Sequence, residues 1–122
     1  MVDLIKARKN INNRYETRKL RSMERFTTAA RDAHAIVTMM ASEYRPRRIY
    51  QWGSLLHPER FDENSDIDLA VEGIMDAETF FKVLGDAMKL TRLPLDIIQI
   101  EKIEPEFAET IRLSGKIVYE RS

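Results

Sequence analysis

The stretch from Ile49 to Val71, IYQWGSLLHPERFDENSDIDLAV, constrains the fold of this chain more than any other part. A hydrophobic run ends at Gly53-Ser54, a polar loop follows, and a second hydrophobic run opens with Asp66-Ile67-Asp68. In this second run apolar side chains alternate with acidic or small ones, a period of two that is typical of a strand with one buried face. The stretch therefore predicts two strands joined by a polar loop, with both carboxylates on one face of the second strand.

The chemistry of these residues favours a phosphate and a metal ion. Magnesium prefers one or two protein carboxylates and leaves its other positions to water and substrate phosphates. A small Gly-Ser pair lets the backbone come close to a phosphate. Taken alone, Gly53-Ser54 is more simply a turn, and Asp66 with Asp68 is often a solvated strand face. Their order and spacing in one short stretch predict a site for phosphoryl or nucleotidyl transfer.

The arrangement resembles the minimal nucleotidyltransferases of the DNA polymerase beta-like superfamily. Their signature is a strand ending in Gly-Ser or Gly-Gly, a loop, and Asp-hydrophobic-Asp, which Gly53, Ser54, Asp66 and Asp68 match over about residues 47–120. The resemblance implies a third carboxylate on a later strand, Asp96, which lies in the β-rich run 93–100. It further implies that the three carboxylates are catalytic and bind two Mg²⁺ ions. Gly53 and Ser54 would bind the phosphates of a nucleoside triphosphate, with ATP favoured.

The resemblance also implies a reaction and a partner. Small proteins of this family pair with helical proteins, often of the HEPN type, in toxin–antitoxin systems, so the expected reaction is transfer of AMP to a hydroxyl group of such a partner. Two alternatives stay open: a non-catalytic antitoxin or binding module that keeps the fold, and nucleotidyl transfer to RNA or a small molecule. His57-Pro58 stands where many members carry Arg-Gly, which favours the non-catalytic alternative, whereas three intact carboxylates favour an enzyme.

The N-terminal third of the chain predicts one long helix. No Gly or Pro occurs from Leu4 to Tyr44, and the helix should end near Arg45-Pro46 because the residue before proline disfavours helical dihedrals. At about 1.5 Å per residue, some 40 residues would reach about 60 Å, more than a globule of this size is wide. We therefore expect either a break near Asn12-Asn13 or an overhanging first part. A buried stripe is expected further on, at Phe26, Ala30, Ala33, Val37, Met40 and Tyr44.

An overhanging first part would leave apolar side chains in need of cover, which a second copy of the chain or another partner could supply. These side chains are Leu4, Ile5, Ile11 and Tyr15. The same region is basic, since residues 1–50 carry 12 Lys or Arg against 5 Asp or Glu, and residues 51–122 carry 8 against 15. The basic side chains of residues 1–50 either form a solvated helix face or bind nucleic acid or an acidic protein surface.

The remaining pattern predicts an α+β fold. Strands are expected at Arg48–Trp52, Ser65–Glu72, Leu93–Ile100 and Lys116–Glu120, with a helix after an Asp76 N-cap and another over Pro105–Leu113. The order αββαβαβ predicts a small mixed sheet with the helices packed on one side. The helix after Asp76 should face the sheet with Phe80, Phe81, Leu84, Ala87 and Met88. We expect one structural domain, made of a basic helical segment over 1–46 and a core over 47–122.

The composition favours a cytoplasmic protein. The chain has no cysteine, which excludes disulfides and thiolate zinc sites and suits a reducing compartment. No apolar stretch approaches the roughly 18 residues of a membrane span, and the N-terminus lacks the apolar segment of a signal peptide. No membrane partner is expected.

Overall fold

The computed structural model describes residues 3–122 and confirms the predicted order αββαβαβ. Met1 and Val2, which the sequence assigns to the helical segment 1–46, lie outside the described residues. The elements are α1 (Leu4–Glu43), β1 (Arg48–Trp52), β2 (Ile67–Glu72), α2 (Ala77–Met88), β3 (Leu95–Gln99), α3 (Pro105–Ser114) and β4 (Lys116–Glu120). Two 3-10 turns, Gly53–Leu56 and Pro58–Arg60, occupy the loop between β1 and β2.

Helix α1 is unbroken, so of the two expected outcomes the overhang is the correct one. Asp3 caps its start by accepting hydrogen bonds from the backbone N–H groups of Ile5 and Lys6 at 3.1 Å. Its fully buried residues begin only at Ala29, and nearly every residue before Ser22 is exposed. We call residues 4–25 the arm, because they project from the globular body. No helix within residues 3–122 is long and apolar enough to cross a lipid bilayer.

The four strands form one mixed sheet in the order β3-β2-β1-β4. Strands β1 and β2, which the sequence predicts to be joined by a polar loop, are antiparallel, and β4 pairs with the other side of β1. Strand β3 runs parallel to β2, with α2 as the crossover between them. The mixed sheet and the α+β class are therefore confirmed.

The sheet is covered on both faces, which corrects one detail of the expected architecture. Helices α1 and α2 lie on the face that contains Ile67, Leu69 and Val71, all fully buried. Helix α3 lies on the opposite face, where Ala108 and Ile111 contact Tyr50 and Ala70. The reason is that the second face of β2 also carries residues that need cover, since Ala70 is fully buried there and Glu72 is buried against Arg112 of α3.

Two helix faces also differ from their predicted stripes. In α1 the buried positions include Ala29 and Ile36 alongside Ala33 and Met40, whereas Ala30 is exposed. In α2 the side chains of Phe81 and Met88 are 68% and 67% exposed, and Val83 takes the core position with Ala87. Both helices carry apolar residues around much of their circumference, so periodicity alone did not identify the face that the sheet covers.

Candidate active site

Gly53 directly follows β1 and lies against the side chain of Asp68. Its φ angle is +71°, in the left-handed region that favours glycine. A Cβ atom at this position would lie 3.1 Å from Asp68 Cγ and would overlap the carboxylate oxygen Oδ2. Trp52, the residue before it, is the register partner of Asp68 in the antiparallel pair. The two halves of the sequence signature therefore meet in the structure, and the glycine leaves room for the carboxylate.

Asp96 is brought to the same place by the parallel pairing of β2 and β3. It is the register partner of Asp68, and neighbouring strands lie about 4.8 Å apart. Register partners in a sheet project to the same face, here the face that also carries α3. Asp66 precedes β2 by one residue and is two residues before Asp68. The structure therefore groups the three predicted carboxylates at one end of the sheet.

The electrostatics of this group are centred on Asp68. The pKa of its carboxyl is raised from 3.8 to about 6, first by burial and then by the negative charges of Asp96 and Asp66. Asp96, by contrast, is exposed. The cost of burying a carboxylate without a cation therefore falls on the partly buried Asp68 and not on Asp96.

The carboxylates fit a magnesium ion that arrives with its nucleotide. Within residues 3–122, no three acidic or histidine side chains are already arranged as a three-ligand metal site. Magnesium usually needs only one or two protein carboxylates, because water and substrate phosphates complete its shell. A nearby cation stabilises the ionised form of a carboxylate whose pKa is raised by burial and by acidic neighbours, as it is at Asp68. Asp66, Asp68 and Asp96 are thus a suitable donor set.

The polar residues of the loop after Gly53 differ in their exposure. Ser54 lies in the first 3-10 turn, partly buried next to Gly53. His57 and Arg60, the two residues available in place of the family's Arg-Gly pair, are both exposed. The His57 Nδ1 atom lies 3.7 Å from Glu59 Oε1. The exposure of His57 indicates a solvated loop residue.

An aromatic wall beside the carboxylates was missed by the sequence reasoning. Trp52 and Phe107 of α3 meet edge to face, with ring centroids 5.4 Å apart. The indole Nε1 of Trp52 is buried and has no hydrogen-bond partner within residues 3–122. Phe107 remains 40% exposed. The signal for this contact was weak, because it depends on α3 crossing the sheet face that carries Asp68, and no local pattern specifies that crossing.

A sheet of this order, with a glycine turn against one carboxylate and a second carboxylate on the adjacent parallel strand, defines the nucleotidyltransferase class of fold. The comparison with family models agrees with this assignment, since the model described as polymerase beta, nucleotidyltransferase matches residues 34–122. The chain belongs to that family. The arm lies outside the matched residues. No curated protein matches the chain significantly.

Solved structures with the same fold include toxin–antitoxin proteins. A crystal structure of the toxin–antitoxin MntA–HepT aligns with 73% of this chain and 70% of its own, with a TM-score of 0.55 and 16% identity. A mutant form of that system aligns over 74% of both chains, with a TM-score of 0.59 and 16% identity. A candidate nucleotidyltransferase from Sulfolobus solfataricus covers 84% of this chain and 87% of its own at 20% identity, with a TM-score of 0.48. At these identities the likeness to MntA shows a shared fold.

Proposed function

We propose that this chain is a Mg²⁺-dependent nucleotidyltransferase that transfers AMP from ATP to a hydroxyl group of a partner protein. The observation that supports the proposal most is the contact of Gly53 with Asp68, together with the pairing of Asp68 and Asp96 on adjacent strands. Each residue type has a purpose in this chemistry: carboxylates for a cation, and a glycine where a side chain would fill the site. Membership of the nucleotidyltransferase family supports the reaction class.

Residues just after β1 and at the start of β2 would bind the triphosphate. Asp66 and Asp68 would hold magnesium, which when bound supplies the positive charge that offsets the triphosphate and the leaving pyrophosphate. The backbone N–H groups at Gly53 and Ser54 and the Ser54 hydroxyl would donate hydrogen bonds to the β- and γ-phosphates. The absence of a Cβ at Gly53 keeps the approach to Asp68 open.

Asp96 would act on the acceptor. Its exposure makes it accessible to a hydroxyl group from another molecule. In the reaction, the acceptor oxygen forms a bond to the α-phosphorus while the bond from that phosphorus to the bridging oxygen of the β-phosphate breaks. The acceptor proton passes to a carboxylate oxygen of Asp96, acting as general base, and pyrophosphate leaves with the bridging oxygen. The carboxylate can also help to hold magnesium on the acceptor side.

A protein acceptor is supported by two considerations. Within residues 3–122 no separate lobe encloses a small acceptor, which favours a hydroxyl group presented by a second molecule. The fold is shared with MntA of a toxin–antitoxin pair. We therefore propose a small helical partner of the HEPN type, modified on a tyrosine hydroxyl, with this chain as the antitoxin.

The test is a labelling reaction. The purified chain is incubated with Mg²⁺ and each α-labelled nucleoside triphosphate, alone and with the purified product of the adjacent gene. Label should appear on the partner with ATP, and D68N and D96N should abolish it. E109Q, which removes an exposed carboxylate of α3 that is not one of the proposed site residues, is the matched control and should label normally. Absence of label on any protein or RNA, together with no Mg²⁺-dependent ATP binding by calorimetry, would refute the enzyme.

A second candidate is a non-catalytic module that keeps the fold. It is favoured by the loop, where His57 and Arg60 are both exposed in place of the Arg-Gly pair of many family members. The two candidates differ in one measurement. A non-catalytic module would bind the partner equally well with and without D68N and would never transfer label, whereas the enzyme labels its partner and loses that ability in D68N.

A further inference from the structure

The arm carries a narrow apolar stripe on the side of α1 that faces the core further on, with Arg18 and Arg25 between the stripe and the buried part. Leu4, Ala7, Ile11 and Tyr15 follow one another at spacings of three, four and four residues. At about 100° per residue they lie on the same side of the helix as Ala29, Ala33, Ile36 and Met40, which are buried against the body. On the arm nothing covers this side within residues 3–122, and Leu4, Ile11 and Tyr15 are 75%, 65% and 67% exposed.

Basic side chains border the stripe on both sides. Arg8 and Lys19 lie along one edge, Arg14 and Arg21 along the other, and the two acidic residues of the arm, Glu16 and Glu24, are on the back of the helix. Residues 4–25 hold eight Lys or Arg and two Asp or Glu, a net charge of +6. The arm is therefore an amphipathic helix with a basic rim. It lies outside the part that matches the family model, residues 34–122.

The apolar stripe and its basic rim distinguish between three possible binding partners: a second arm, a nucleic acid and a protein groove. A second arm packed on the first would bring two charges of +6 together, which disfavours self-pairing. A nucleic acid would satisfy the basic rim but would leave the aliphatic side chains uncovered, and Tyr15 is the one exposed aromatic of the arm available for stacking. A protein groove with an apolar floor and acidic rims satisfies both features, because amphipathic helices dock in such grooves through anchors at i, i+3, i+7 and beyond.

A cleft at the base of the arm lies close in sequence to the candidate active site. A cleft of about 790 Å³ opens where the arm meets the body, lined by Arg18 and Arg25 of α1, by Asp62 of the loop, and by Leu93. The Nε atom of Arg25 is buried there without a hydrogen-bond partner in the described chain. Four residues of chain span at most about 14 Å, which bounds the distance from Asp62 to Asp66. A protein held by the arm therefore reaches the neighbourhood of the candidate active site.

We infer that the stripe of Leu4, Ala7, Ile11 and Tyr15, with its basic rim, is the docking surface for a partner protein that offers an acidic helical groove. The inference deepens the proposed function and rests on it only where the docked partner is taken as the acceptor. The docking itself requires neither metal nor nucleotide. It assigns the arm a specific purpose, which is to bring a protein hydroxyl to the Asp96 side of the sheet.

The first experiment identifies the occupant by photocrosslinking in the producing cell. A photoreactive residue replaces Ile11 on the stripe in one strain and Ile5, 72% exposed and off the stripe, in the other. A protein adduct at position 11 that is absent at position 5 is the expected result. An adduct with RNA, an adduct with a second copy of this chain, equal adducts at both positions, or no adduct would each overturn the inference.

The second experiment measures binding of the purified crosslinked protein by calorimetry without Mg²⁺ or nucleotide. The double variant I11D/Y15D should bind at least tenfold more weakly, and the charge reversals R14E and R21E should weaken binding and reduce its salt dependence. I5D and K9E, on the other sides of the same arm, are matched controls and should bind within about threefold of the unmodified chain, since all these residues are exposed. Equal losses in both sets would overturn the docking surface. Intact docking without label transfer would instead refute the proposed function and leave the docking surface standing.

Discussion

The backbone of Gly53 and the carboxylate of Asp68 occupy adjoining space, so that even a methyl group on the glycine would overlap the carboxylate. The two residues come from separate strands, and the antiparallel pairing of Trp52 with Asp68 sets their approach. This contact explains why the signature needs a residue without a side chain at that position. It also means that a larger side chain at position 53 would displace the carboxylate of Asp68.

Replacement of Gly53 by alanine should damage both the site and the fold. The φ angle of +71° disfavours any residue with a Cβ, and the added methyl must displace the Asp68 carboxylate. We expect a loss of about 1–3 kcal/mol in the free energy of unfolding and loss of Mg²⁺-dependent nucleotide binding. Urea denaturation and calorimetry measure the two effects.

Gly85 offers the matched control. It lies inside α2, and a Cβ there would have no atom within 4 Å. Because glycine is a poor helix former, G85A should stabilise the protein by about 0.5–1 kcal/mol and leave nucleotide binding unchanged. A G53A protein as stable as the unmodified chain would show that the carboxylate and glycine are not in contact.

At pH values where Asp68 is ionised, it should lower the free energy of unfolding. Its pKa in the folded protein, about 6, is above its ordinary 3.8, so the folded state binds the proton more tightly than the unfolded state does. Stability should therefore fall as pH rises from about 4 to about 6 and remain reduced above that range. D68N removes this cost and should stabilise the metal-free protein at pH 8, by about 1 kcal/mol after allowance for solvent screening, but not at pH 4.

The measurement is urea denaturation of D68N and the unmodified chain at both pH values. E109Q, on the exposed side of α3, should change stability by less than about 0.5 kcal/mol at either pH. A D68N protein that is less stable at pH 8 would mean that Asp68 makes favourable contacts that outweigh its burial and the repulsion from Asp96 and Asp66.

Trp52 should report binding at the site by its fluorescence. It is the one tryptophan of the chain, the register partner of Asp68, and in edge contact with Phe107. Addition of Mg²⁺ and ATP should change its emission, and the apparent affinity should decline as pH is lowered through about 6, because protons compete with the cation at Asp68. A titration that is the same without Mg²⁺, or the same in D68N, would contradict this assignment.

The local elements were predictable because their signals are local. Strands β1 and β4 lie where the alternation and the turn residues placed them, and α1 ends just before Arg45-Pro46 as the proline requires. The grouping of Asp68 with Asp96 was predictable only through the family resemblance, because the parallel pairing of β2 and β3 is a long-range relationship. Nothing in the run 93–100 itself selects β2 as the neighbouring strand.

The choice of buried face was less predictable, for a physical reason. Phe81 and Val83 are both apolar, yet the sheet covers only Val83, because α2 presents one side and its apolar residues extend beyond that side. The burial of Glu72 was also missed, since the alternation of β2 places it on the α3 face but does not reveal its two arginine partners.

Glu72 ties α3 to the sheet through charges at the end of β2 away from the candidate active site. It is 6% exposed, accepts hydrogen bonds from Arg112 Nη2 at 2.9 Å and Nε at 3.2 Å, and lies 3.3 Å from Arg48 Nη1. Because α3 also carries Phe107, which meets Trp52, this ion-pair cluster supports the aromatic wall beside Asp68.

The variant E72Q should therefore loosen α3. It leaves two guanidinium groups without their shared carboxylate, and since both arginines are partly exposed we expect a loss of about 2 kcal/mol, below the range for a fully buried pair. E120Q is the matched control, because Glu120 contacts Arg48 Nε at 3.0 Å but is 54% exposed, and it should cost less than about 1 kcal/mol. Urea denaturation compares the two, and Trp52 emission should shift in E72Q alone. Equal losses in both variants would show that the burial of Glu72 adds nothing to the stability of the cluster.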